Sequence, residues 1–223
     1  MRKPKPLVVA VDGPSGSGKS STARGVAQRL SLAYLDTGAM YRAMTWALLR
    51  AGVDLDDPTA IAAAAQGVRL ESGTDPLDPT IRANGVDVAE PIRSDEVTAS
   101  VSHVAAVPSV REMLVDLQRS IINASQHRIV VEGRDIGSTV APQAEVKIFL
   151  VADPAARAAR RAAEDGTEDA TATELLLARR DEIDSTREAS PLAKASDAVV
   201  VDSTHLTLEE VIDAIVRIVG DAQ

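Results

Sequence analysis

The chain has 223 residues, 45% hydrophobic and 26% charged, enough for a sizeable core in one domain, and a formal net charge of -9. An acidic surface argues against nucleic-acid binding, the absence of cysteine excludes disulfides and thiolate chemistry, and no apolar run approaches membrane-spanning length. A soluble cytoplasmic monomer is expected, free to hold a small anionic ligand where a few arginines make a local positive pocket.

Leu7–Val11 is a continuous apolar run of strand length, as expected of a buried parallel strand. A glycine-rich loop follows, then a helix from near Lys19 to about Leu30, and a short strand at Ala33–Leu35. Helices are predicted over Ala39–Arg50, ended by Gly52, and from Asp57-Pro58 through the alanines to Gln66. Residues 68–93 read as β structure, with Asn84-Gly85 between alternating runs as a type I′ hairpin signal. Helices resume from Ser94 to Ser125, broken at Val107-Pro108. RIVVEG and VKIFLVAD are further buried-type strands, and Asp153-Pro154 starts a helix. The stretch Glu164–Thr173 is acidic and poor in apolar residues, a candidate mobile loop, followed by a helix over Thr173–Asp184. Ala198–Val201 is a last strand, and Thr207 with Glu210 forms a capping box for a helix to Val219. Helices therefore separate five apolar strands, the pattern of an α/β protein with a parallel sheet and a small β-rich insertion.

Gly13, Pro14, Ser15, Gly16, Ser17, Gly18, Lys19 and Ser20 match G-x-x-x-x-G-K-[ST], and Ser21 follows. The motif lies between strand and helix, the context it requires. Glycines let backbone N–H groups converge on phosphates, and the helix N-terminus adds its dipole. Lys19 reaches the β- and γ-phosphates in such a loop, and Ser20 ligates Mg²⁺. The loop implies ATP or another triphosphate without saying what becomes of the γ-phosphate. The N-K-x-D and D-x-x-G patterns of a guanine-nucleotide switch do not occur.

A kinase for a small molecule needs a second anionic site facing the first. DTGAMYR places Arg42 six residues after Asp36, one turn into a helix; GRD, at Gly133–Asp135, follows a buried strand. In RRDEIDSTREASPL, Arg180 and Asp184 share a helix face and Arg187 lies at or past its end. Arg157, Arg160 and Arg161 are spaced to share a face before the acidic stretch. Each cluster alone also reads as a solvated arginine or an ordinary ion pair. Together they supply the bidentate phosphate contacts that phosphoryl transfer requires, around helices able to act as a lid. The aromatics are only Tyr34, Tyr41, Trp46 and Phe149, so a bound base must be read mainly by hydrogen bonds.

VDGPSGSGKSS, YLDTGAMYR, EGRDIGS, R-D-x-x-D-S-x-R-x-x-S-P-L and DAVVVDST, in this order and across nearly the whole chain, resemble the bacterial cytidylate kinases, of the nucleoside-monophosphate kinase type. The resemblance implies a phosphate-loop kinase fold, a monophosphate-binding insert near residues 62–105 and a helical lid near 155–187. It implies transfer of the ATP γ-phosphate to CMP or dCMP, with Mg²⁺. By position, Arg42, Arg134 and Arg187 would surround the acceptor phosphate beside Thr37. Ser102, Arg111 and Asp135 would read cytosine, and Arg180 and Asp184 would hold the sugar. Arg157 and Arg161 would be lid arginines, joining Lys19 and Arg134 as catalytic residues. Transfer to another monophosphate such as UMP, or a nucleotide-driven binding protein, stays open as an alternative.

Overall fold

In a computed structural model of the chain, which describes residues 5–165, 169–186 and 191–222, Leu7–Asp12 is strand β1, buried along its whole length. Helix α1 (Lys19–Leu30) returns to β2 (Ala33–Asp36), whose Asp36 carboxylate accepts from the Ala39 N–H and starts α2 (Thr37–Arg50) two residues earlier than expected. Helix α3 (Pro58–Ala65) begins behind Asp57 and precedes the β-rich segment: β3 (Leu70–Ser72), β4 (Ile81–Ala83) and β5 (Val86–Asp87). At its hairpin Asn84 and Gly85 both have positive φ, 52° and 79°, as a type I′ turn demands. Helices α4 (Asp95–Ala106) and α5 (Pro108–Ala124) meet at Val107-Pro108. Then come β6 (Arg128–Gly133), β7 (Val146–Val151), α6 (Pro154–Asp165), α7 (Ala170–Thr186), β8 (Val199–Asp202) and α8 (Leu208–Asp221).

The expected α/β class holds. Five strands form a parallel sheet in the order β2-β6-β1-β7-β8, and β3-β4-β5 form a small antiparallel sheet. Parallel strands buried on both faces read as unbroken apolar runs because both sides must shed water. Val9 and Val11 of β1 pack with Val26, Ile148 and Leu150 against Ile212 and Ile215 of α8. Val8 and Ala10 face the other way, with Leu35, Met40, Val131 and Ile122 under α2 and α5. A third cluster, Tyr41, Met44, Leu48, Ile61, Val104 and Leu114, joins α2 to α3, α4 and α5.

Two local features depart from the sequence reading. Helix α7 begins at Ala170, inside the stretch read as a loop. Asp169 accepts from the Ala172 N–H at 2.9 Å, and the alanines that follow have high helix propensity. After β6, Ile136–Val140 forms a wide turn closed by a bond from Ala141 N–H to Ile136 O. Its first amides, Ile136 and Gly137, donate to Asp12 at the end of β1, both at 2.8 Å. Asp12 carries a pKa raised to about 6, mainly by burial.

Candidate active site

The loops after β1, β2 and β6 leave the same edge of the sheet, where ligands of open α/β sheets bind. The Gly13–Gly18 loop fits there because it lacks side chains at a close crossing. A Cβ on Gly13, whose φ is 152°, would stand 2.1 Å from the Leu150 carbonyl oxygen. Lys19 opens α1, and its Nζ curls back to donate to Pro14 O at 2.7 Å. Burial, with Arg134 close by, holds the Lys19 pKa well below its usual value. A bound polyphosphate would reverse that.

Ser20 Oγ donates to Glu132 at 2.9 Å, and Tyr34 donates its phenolic hydrogen to the other carboxylate oxygen. Burial, then Asp36, pushes the Glu132 pKa up. Reading the charged triplet Gly133–Asp135 from the sequence passed over this carboxylate, which ends the apolar run RIVVE and is 3% exposed. Ser20 and Glu132 are hard oxygen donors beside the phosphate loop. That set fits Mg²⁺, which prefers one or two protein oxygens completed by phosphates and waters.

A single cleft of about 350 Å³ is lined by Lys19 and Ser20 at one end and by Ser102, Arg111 and Asp135 at the other. Thr37, Arg42, Arg134, Arg161, Arg180 and Asp184 also line it. Arg42 donates to Thr98 Oγ1 at 2.9 Å. Thr37 Oγ1 donates to Glu132 O at 2.7 Å. Arg134 reaches Gly13 O at 2.6 Å and pairs with Asp184 at 2.8 Å. Arg111 pairs with Asp135 at 2.5 Å, donates to Ala105 O, and lies 5.3 Å from the centre of the Tyr41 ring. The Arg42 pKa is pushed down to about 10 by burial and then Arg161; that of Arg180 is pushed down to about 9 by burial and then Arg42. Converging guanidinium groups mutually disfavour their charges, and an anion between them removes the conflict.

The α6 arginines part company. Arg161 lines the cleft. Arg157 donates to Ser15 O at 3.0 Å and to the Asp181 carboxylate. Arg160 donates to Ser203, through Nη1 to its Oγ at 3.0 Å and through Nη2 to its carbonyl at 2.5 Å. Arg160 and Ser203, with Ser17, Thr22 and Leu206, line a second cavity of about 320 Å³ on the other flank of the loop. The sequence reading missed Ser203, although DAVVVDST carries it, and missed Asp181 inside its longest motif. Arg187 lies outside the described residues. Among the described residues no helix is long and apolar enough to cross a membrane, and no cluster of three metal-ligating side chains occurs.

A family model described as Cytidylate kinase matches residues 9–221. Proteins named cytidylate kinase from Streptomyces avermitilis and Streptomyces coelicolor are 56% and 57% identical over 215 residues, each alignment covering 96% of this chain and 93% of the relative. One from Corynebacterium glutamicum is 48% identical, covering 96% and 94%. Among solved structures, an uncharacterized protein from Eubacterium ventriosum shares the fold, with a TM-score of 0.55 at 12% identity, covering 97% of this chain and 99% of that one. With phosphate loop, arginine-lined cleft and buried Arg111–Asp135 pair on one sheet edge, and a match that runs almost end to end, the chain belongs to the cytidylate kinase family.

Proposed function

We propose that the chain transfers the γ-phosphoryl group of ATP to CMP and dCMP, giving ADP and the corresponding diphosphate. The observation that carries this reading is the continuity of the cleft. One cavity joins the phosphate loop to a buried hydrogen-bonding pair, with arginines and Thr37 between them.

ATP phosphates lie on the loop amides and Lys19, and the donor base takes the cavity beside Arg160 and Ser203. The acceptor phosphate sits between Arg42 and Arg134, next to Thr37, and the family resemblance adds Arg187, which lies outside the described residues. One of its oxygens attacks the γ-phosphorus as the bond to the β-phosphate oxygen breaks, and ADP leaves. Lys19, Arg134 and Arg161 spread positive charge over the transferring oxygens, with Arg157 fixed to the loop beside them. Ser20 and Glu132, hydrogen-bonded to each other at 2.9 Å, would hold Mg²⁺ beside the phosphates, where it would supply charge neutralisation for the transfer. The region near 155–187 acts as the lid that excludes water, and that near 62–105 as the acceptor-binding insert.

Base choice follows from hydrogen bonding. The exocyclic amino group of cytosine donates to Asp135 and Ser102, and Arg111 donates to the ring acceptors. Uracil would turn a carbonyl toward the Asp135 carboxylate, and a site built from buried polar groups penalises that mismatch. Arg180 and Asp184 hold the sugar. Every residue invoked lies on one chain, so a monomer suffices, and the substrates are those of the cytoplasmic nucleotide pool. A coupled assay of ADP release with CMP, dCMP, UMP and AMP tests this. CMP and dCMP should support rapid turnover and UMP much slower turnover. Preference for UMP or AMP, or ADP release indifferent to acceptor, would overturn it.

A further inference from the structure

Helix α7 shows two neighbouring faces to two different sites. Leu177 and Asp181, four apart, face the phosphate loop, while Arg180 and Asp184, also four apart, line the acceptor cleft. Asp181 Oδ1 accepts from the Ser15 N–H at 2.9 Å, and its other oxygen accepts from Arg157, which itself donates to Ser15 O at 3.0 Å. Both backbone groups of Ser15 are thus held by α6 and α7. The residue after it is packed equally closely. A Cβ on Gly16 (φ 73°) would lie 3.0 Å from Arg157 O and 3.2 Å from Leu177 Cδ1. Meanwhile the Arg180 Nε is buried with no hydrogen-bond partner among the described residues.

We propose that Asp181 is a positioning residue that couples the two nucleotide sites, locking α7 in register with the phosphate loop so that Arg180 and Asp184 are delivered to the acceptor. This rests on the reading of the cleft as a two-nucleotide site. A triphosphate on the loop amides fixes the Ser15 peptide. Through Asp181 and Arg157 that peptide fixes α7, and the same helix then meets the acceptor with its sugar-binding side chains already ordered. Each ligand thereby lowers the ordering cost of the other, which is positive coupling between sites. The carboxylate touches neither substrate in this arrangement, so its effect appears in the coupling between ligands rather than in one contact.

Calorimetry on the full chain reads the coupling directly, as CMP affinity with and without a saturating non-hydrolysable ATP analogue and Mg²⁺. In the wild type the analogue should tighten CMP binding about fivefold or more. In Asp181→Ala that factor should collapse to about one, whatever CMP affinity remains. The isosteric Asp181→Asn keeps an acceptor for Ser15 but no charge for Arg157, so it should fall between, and it carries the test if the alanine variant does not fold. A merely structural loss would weaken both measurements and leave their ratio unchanged. Wild-type coupling in both variants, or no coupling in the wild type, overturns the proposal alone. A wild type that binds no CMP in either state removes the two-nucleotide reading and this proposal together.

Discussion

Arg111 and Asp135 are 4% and 5% exposed, and each makes the other's burial tolerable. Removing Asp135 therefore has two separable effects. Asp135→Ala strands a buried guanidinium, which costs roughly 3–5 kcal/mol of stability. It also deletes the acceptor assigned to the cytosine amino group. A hydrogen bond to a charged group contributes about 1.5–3 kcal/mol, so kcat/KM for CMP should fall by about one to two powers of ten more than that for UMP. Steady-state kinetics below the melting transition give the ratio, and an equal fall for both bases would mean that Asp135 only holds Arg111. Asp12 makes a different prediction. Its pKa is about 6 in the folded chain against 3.8 unperturbed, so the folded state binds the extra proton between those values and loses stability as pH rises from about 4 to 6. The loss approaches ~3 kcal/mol. Asn cannot titrate, so in urea melts the stability of the wild type relative to Asp12→Asn should fall by that amount across the window. A constant gap would show that Asp12 is not raised. Sequence alone exposed residues whose chemistry is announced by a motif, such as Lys19, Arg42 and Asp135. It did not expose what Glu132 and Asp181 do, although both stand inside quoted motifs, because a carboxylate reads as a strand end or a solvated helix face until the fold brings Ser20 or Ser15 against it.

At the level of elements, what could be read was what local chemistry dictates. The strands followed from apolar runs, the hairpin from Asn84-Gly85, and the last helix from Thr207, which accepts from the Glu210 N–H while the Glu210 carboxylate accepts from the Thr207 N–H. The wide turn at Ile136–Val140 escaped because its amides are capped by Asp12 from a distant strand. The start of α7 escaped because an acidic composition outweighed the alanines within it. The phosphate loop gives the sharpest element-level test. At Gly13 a Cβ meets backbone of β7 at 2.1 Å, whereas at Gly85 (φ 79°) it meets nothing within 4 Å. Gly85→Ala should cost only the left-handed strain, about 1–2 kcal/mol. Gly13→Ala should cost about 3 kcal/mol or more, since neither chain segment can yield without moving a strand. Denaturant melts of the two variants decide this, and equal costs would contradict the close crossing of loop and β7.

For the whole molecule, charge and topology act together. In a chain of formal net charge -9, Arg42, Arg134, Arg161 and Arg180 converge on one cleft, a local concentration of cations suited to the two phosphorylated ligands proposed for it. The strand order β2-β6-β1-β7-β8 sets β1 between β6 and β7, which puts the phosphate loop beside both Gly133–Asp135 and the start of α6. That order was not legible in the sequence, since apolar runs name strands but not neighbours. It is nevertheless what turns dispersed motifs into one site. The central claim is that this site hands a phosphoryl group specifically to a cytidine monophosphate. The most direct measurement is a competition: ATP, Mg²⁺ and equal concentrations of CMP and UMP in one vessel, with the diphosphates separated by chromatography over time. CDP should accumulate faster than UDP by roughly a hundredfold, with ADP formed in step with the diphosphates. UDP forming as fast as CDP, or ADP appearing without either diphosphate, would contradict it.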